Sequence, residues 1–204
     1  MEIGIIGGTR LALYLGDTLA SRANDVHFGV RKDFEPKGIE WRILKMSPGR
    51  VNTYKSVIET SELLLICCEN EYLEEVTKEL SAIDLSGKIV IDCTNAAYSD
   101  SMTCNTDMLN EAVGNAHVFK AFNNLGLDYP HSDPMGLVKE TYFCGPDIPA
   151  KKTVGRLIST IGFKGVDAGV LSNAKLLEAV FHLRKEISQQ KNENLDYHFK
   201  LIGV

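Results

Sequence analysis

Apolar residues along the chain fall into short unbroken runs that alternate with helically spaced stripes. Ile3, Ile5 and Ile6 make the first run, fit for a buried parallel strand. Gly7-Gly8 follows at once, where a strand must turn sharply into a helix. Leu11, Ala12, Leu15 and Leu19 then recur on one helical face. Residues 26–30 read as a second strand, with Arg31-Lys32 at its end. Glu35 to Gly38 reads as a turn, Ile39 to Leu44 as a short third strand, and Ser47-Pro48-Gly49 as another turn. Val51, Tyr54, Val57 and Ile58 predict a helix ending near Thr60.

Residues 63–68, LLLICC, are apolar on both faces and belong at the centre of a parallel sheet, across the switch point from the first strand. A helix over 72–80 leads to a fifth strand at 88–92. The polar stretch 97–110 reads as a loop, with a short helix near Met108 to Ala112. Residues 117–122 and 141–145 form strands six and seven, a helix spans about 149–161, and an eighth strand covers 163–166. The last helix runs from Leu171 to about Asn194, with Leu176, Ala179, Val180, Leu183 and Ile187 as its apolar stripe. It can pack on its own sheet or pair with a second copy in a homodimer. The pattern predicts an α/β fold: one domain over 1–204, a Rossmann-type doubly wound, mostly parallel sheet with a small C-terminal α/β extension from about 141.

Composition adds little to this. The 204 residues, 44% hydrophobic and 24% charged, are ordinary for a globular chain, and the net charge of −5 argues against a nucleic-acid partner. No run reaches the ~18 apolar residues of a membrane span, and no basic n-region precedes the first strand. Five cysteines without C-x-x-C spacing suit reduced, buried thiols, so a cytoplasmic protein is expected. The five histidines show no metal-ligand spacing, and His27 reads as structural.

The candidate chemistry sits at the strand ends. Free N–H groups at a helix start favour a pyrophosphate, and Gly7 and Gly8 let the main chain come close. Laid on Gly7, the fingerprint G-x-G-x-x-G/A accepts Ala12 but asks for glycine where Thr9 stands. Thr9 can instead donate its hydroxyl to a phosphate. A plain strand-to-helix turn without a ligand is the competing reading. Arg31 and Lys32 stand where an NAD site usually carries an acid, which suits the 2′-phosphate of NADP. Cys68 and Glu69 end the fourth strand. Tyr72 can cover an adenosine or simply pack. Asn95 and Ala96 follow the fifth strand, and Phe122 and Asn123 follow the sixth.

The segments IGIIGG, FGVRK, GKIVIDCTNA, VFKAFNNLG and YFCGPDIPAKKTVGRLISTIGFKGVDAGVLSNAKLLEAV together resemble the deazaflavin-dependent NADP oxidoreductase family, over nearly the whole chain. The NADP-binding domain of the six-transmembrane metalloreductases is similar too. The resemblance implies NADP(H) as cofactor and hydride transfer to or from a deazaflavin or flavin as second substrate. It also implies site roles. Gly7, Gly8 and Thr9, with Arg10 and Leu11, become the pyrophosphate loop. Arg31 and Lys32 become the 2′-phosphate clamp. Asn95 and Ala96 lie below the nicotinamide, and Phe122 and Asn123 beside the hydride-transfer site. Transfer between two rings needs positioning more than acid–base chemistry, so no catalytic acid, base or nucleophile is assigned. Two other readings stand beside it: an NADP-dependent dehydrogenase or imine reductase for a small metabolite, and an NADP(H)-binding sensor without turnover.

Overall fold

The computed structural model describes residues 1–22, 24–36, 38–99, 104–191 and 196–202. One eight-stranded sheet runs through it, in the order β3-β2-β1-β4-β5-β6-β7-β8. The strands are β1 (Glu2–Ile6), β2 (Asp25–Val30), β3 (Val51–Thr53), β4 (Leu63–Ile66), β5 (Ile89–Asp92), β6 (His117–Ala121), β7 (Glu140–Cys144) and β8 (Lys164–Asp167). All neighbours are parallel except β6 and β7. The order reverses between β1 and β4, and that is where a doubly wound sheet opens its ligand crevice.

Helices cover both faces. α1 (Arg10–Ala20), α2 (Ile39–Met46) and α6 (Pro149–Ile161) pack on one face, burying Leu15, Leu19, Trp41, Val154 and Ile158 against Ile3, Ile5 and Phe28. α3 (Tyr54–Thr60), α4 (Leu73–Ser81) and α5 (Asn105–Ala112) pack on the other, burying Val57, Val76, Leu80 and Leu109 against Ile6, Leu64 and Ile66. Successive side chains of β4 point into alternate layers, so its four apolar residues are all fully buried. Truncating any one to alanine is worth about 2–5 kcal/mol. α7 (Ala174–Gln190) closes the chain over the carboxyl ends of β5 and β6.

Three sequence expectations are corrected here. Residues 39–44 are not a strand; they lie in α2, whose start follows Gly38 at φ 101°. Only Trp41 is buried in that helix, while Ile39 and Ile43 are exposed, so the apolar run carried no face pattern that separated strand from helix. The third strand is instead Val51–Thr53, and the helix after it starts at Tyr54, with Thr53 capping the Ser56 amide. The helix placed near 108–112 begins earlier, at Asn105; residues 100–103 of the same stretch lie outside the described residues. The last helix ends at Gln190, and 192–195 also lie outside them. α7 turns Ala174, Glu178 and Arg184 inward and leaves Leu176, Val180 and Leu183 exposed.

Candidate active site

The first βα turn is held by close backbone contacts. Gly7 has φ 125°, and a Cβ there would lie 2.5 Å from the Cys67 carbonyl oxygen, so only glycine fits. A Cβ on Gly8 would meet the Phe34 ring at 2.2 Å. Thr9 is the N-cap of α1. Its hydroxyl accepts from the Ala12 amide at 3.2 Å and donates to the Cys67 carbonyl at 2.8 Å. The hydroxyl proton therefore ties α1 to the end of β4, and the expected donation from Thr9 to a phosphate is corrected: its role is capping. The Leu11 amide is also engaged, donating to the Leu127 carbonyl at 3.0 Å. Among the described residues no internal acceptor takes the Thr9 or Arg10 amide, which leaves two donors at the helix start.

At the end of β2, Arg31 is held in place from three sides. Its guanidinium lies 4.4 Å from the centre of the Tyr72 ring and 5.7 Å from that of Phe34. Its Nε contacts Asp33 at 3.0 Å. Lys32 is exposed beside it. Tyr72 thus packs, but against the very cation read as the phosphate ligand. Cys68 points into the second core layer, where burial pushes its thiol well above the ordinary range; it offers no thiolate.

The far end of the crevice is built differently. Asp92, at the end of β5, pairs in register with Lys120 of β6, and both side chains are fully buried. Lys120 Nζ donates to Asp92 at 2.7 Å, to the Thr94 carbonyl at 2.7 Å and to Glu178 of α7. Asp92 also accepts from the Thr94 amide and from the hydroxyls of Thr94 and Thr106. Burial opposes the charge on Lys120, but Asp92 and Glu178 outweigh it and hold the ammonium above the ordinary lysine range. Glu178 then reaches the turn itself, accepting from the Ala96 amide at 2.8 Å. Asn95 and Asn123 exchange two hydrogen bonds of 3.0 Å, and Asn123 donates a third to the Leu177 carbonyl of α7. Asn123 Oδ1 has no partner among the described residues. Phe122 sits at φ 63°, a left-handed conformation costly for an aromatic residue, with its ring buried in the core.

Six of the expected residues, Gly8, Thr9, Arg10, Glu69, Asn95 and Ala96, line two adjoining cavities; Arg31, Lys32 and Tyr72 line neither. A cleft of about 730 Å³ is lined by Gly8, Thr9, Arg10, Glu69, Trp41 and Asp128 among others. A second cavity of about 410 Å³ is lined by Glu69, Asn95, Ala96, Leu127, Asp128 and Arg184 among others. The side chains of Leu11, Cys68 and Phe122 are core. Lys120 and Glu178 had no part in the sequence reading, where Asp92 entered only as the end of the fifth strand and a loop-capping residue. One signal was available: a lysine inside the apolar run VFKAF, beside a strand ending IVID, needs a buried counter-charge. Glu178 gave none, because it reads as a polar position on an amphipathic helix.

Residues 2–96 match the family model described as coenzyme F420-dependent NADP oxidoreductase. Rat metalloreductase STEAP3 is 24% identical over 182 residues, which are 88% of this chain and 36% of that protein, so the chain spans about a third of the relative's length. In structure, a candidate F420-dependent NADP-reductase from Arthrobacter sp. FB24 superposes with TM-score 0.83 at 18% identity, covering 100% of both chains. The Aspergillus terreus reductive aminase, solved with NADPH, superposes with TM-score 0.67 at 16% identity over 93% of this chain and 62% of that one. The chain therefore has the Rossmann-like fold of these reductases and is similar to the coenzyme F420-dependent NADP oxidoreductase family, through a family match on residues 2–96.

Proposed function

We propose that the chain is an oxidoreductase that binds NADP(H) across the carboxyl ends of β1, β2, β4, β5 and β6 and exchanges hydride with a deazaflavin or flavin. The observation that carries this is Arg31, fixed by Tyr72, Phe34 and Asp33 at the end of β2, with Lys32 beside it. The residues fit the cofactor at both ends. Arg31 and Lys32 would hold a 2′-phosphate, the Thr9 and Arg10 amides a pyrophosphate, and Asn123 Oδ1 is an acceptor left open beside the turn where a carboxamide would lie. When bound, the cofactor supplies the hydride. The chain's own part is to hold the Asn95-Ala96 turn through Glu178 and Asn123 and to wall the crevice with Leu125. Likeness to the reductive aminase favours a second reading, an imine or small-metabolite reductase.

The test is to titrate the protein with NADPH and NADH, then add a deazaflavin, FMN, FAD or a cyclic imine and follow the reduced-nicotinamide absorbance. NADPH oxidation by a deazaflavin or flavin is the expected result. Turnover with the imine alone supports the second reading, and tight NADPH binding without turnover supports a sensor. We also propose a homodimer through α7, because Leu176, Val180 and Leu183 form one exposed stripe on it; light scattering of wild type and Leu183→Glu checks this. Among the described residues no helix is long and apolar enough to cross a membrane. A cytoplasmic location suits the five buried free cysteines.

A further inference from the structure

The fingerprint laid on Gly7 puts Arg10 and Leu11 at its two adjacent variable positions, the second and third of three, whose amides start the helix that faces a pyrophosphate. In the structure part of that place is taken by the chain itself. The Leu127 carbonyl accepts from the Leu11 amide at 3.0 Å, and Asp128 pairs with Arg10 at 2.5 Å. A carbonyl oxygen and a carboxylate thus stand at the positive end of α1, as phosphate oxygens would.

Residues 125–131 that carry them leave β6 through two left-handed positions, Phe122 at φ 63° and Gly126 at φ 78°. They run as successive turns, Leu125 onto Phe122, Tyr129 onto Gly126 and His131 onto Asp128. Leu127 and Asp128 line both the cleft of about 730 Å³ and the cavity of about 410 Å³, so this segment partitions the crevice that an extended dinucleotide must span. Leu125 and Tyr129 anchor the segment in the core and Leu127 packs partly against it, whereas the side chains of Arg10 and Asp128 are 54% and 64% exposed, so only the ion pair at the tip is held from the solvent side.

We propose that residues 125–131 form a strap whose tip, Leu127-Asp128, competes with the cofactor: the Leu127 carbonyl and the Asp128 carboxylate occupy the pyrophosphate's place, and NADPH binding displaces that tip while Leu125 and Tyr129 keep their core positions. Arg10 then passes from Asp128 to the phosphate. The strap sets a threshold for cofactor binding, and Asp128 is the residue that sets its height. This rests on the NADP(H) reading above.

The test compares wild type with Asp128→Asn, which keeps the shape and removes the charge. NADPH affinity is measured by titration calorimetry and by the fluorescence of Trp41, the single tryptophan, which lines the larger cleft. Hydrogen exchange over 125–131 is followed with and without NADPH. The exposed pair leaves folding intact, which a thermal melt verifies. Asp128→Asn is expected to bind NADPH about threefold to tenfold tighter, from the loss of one ion pair and one anion at the helix start. Saturating NADPH is expected to speed exchange over 125–131 in the wild type. Binding by the variant alone also supports the strap. Equal or weaker binding by the variant overturns it and leaves the NADP(H) reading standing. Tighter binding with unchanged exchange assigns the effect to charge alone and overturns the displacement. Failure of both proteins to bind NADPH overturns the strap and the NADP(H) reading together.

Discussion

The two ends of the crevice are made in opposite ways. At the adenosine end the working residues are close in sequence, from Gly7 to Arg10 and from Arg31 to Phe34. The side chains of Arg10 and Lys32 reach solvent. Their arrangement follows from β1, the turn after it, α1 and the end of β2, completed by the Cys67 carbonyl on Thr9 and the Tyr72 ring on Arg31. At the far end the turn at Asn95-Ala96 is held by groups up to 82 residues away in sequence, and the charges that hold it are buried. The first end resembles a binding surface. The second is part of the core, so its geometry and the stability of the fold are the same interactions. Substitutions should therefore separate Arg31 and Lys32, where affinity changes without stability, from the far end, where stability changes first.

The largest effect is expected at Lys120. Lys120→Met leaves Asp92 and Glu178 as uncompensated buried carboxylates, and breaking such a pair costs about 3–5 kcal/mol. Urea unfolding should show this loss. A cost below about 1 kcal/mol would mean that the far end is not built on charge, and the contrast would fail. Next comes Thr9→Val, which keeps the shape and removes the cap on Ala12 and the bond to Cys67. It should cost about 1–2 kcal/mol, by the same measurement. Arg31→Ala, by contrast, should shift the unfolding midpoint by less than about 0.5 kcal/mol.

The smallest effect is a pH dependence at the C-terminal tail. Arg184 contacts the His198 ring at 3.0 Å, and His198 Nε2 faces the Ser132 carbonyl at 3.1 Å. The neutral Nε2–H tautomer satisfies both; a second ring proton would face the guanidinium. Burial holds the His198 pKa below its ordinary value, with Arg184 acting in the same direction. Below the ordinary histidine range the unfolded chain binds more protons than the folded one, so this contribution is present above that range and is lost as pH falls toward the depressed folded value. Once the intrinsic slowing of amide exchange at lower pH is divided out, the protection of residues 196–202 should fall as pH drops below about 6.5 toward the lower folded value, and His198→Gln should flatten the change.

The same contrast explains what could be read in the chain. β1, β4, α1 and α6 were legible because their apolar patterns match their burial position by position. Arg31 and Lys32 were legible because a strand end fixes where they lie. Residues 39–46 were not, since Ile39 and Ile43 face solvent and the run IEWRIL fits a strand as well as a helix. Thr9 was placed correctly but given the wrong partner, because the Cys67 carbonyl that takes its proton lies on another strand. Glu178 was invisible for a stronger reason. α7 buries a glutamate and an arginine and exposes two leucines, against the amphipathic rule; the sheet's buried lysine explains the glutamate, and the His198 and Phe181 rings face the arginine.

The central claim is that Arg31 reads the 2′-phosphate of NADP(H) at the end of β2. Its most direct test is a titration of wild type and Arg31→Asp with NADPH and with NADH. The account predicts that the substitution weakens NADPH binding by about tenfold or more, and NADH binding by less than about threefold. Equal loss for both nucleotides would contradict it.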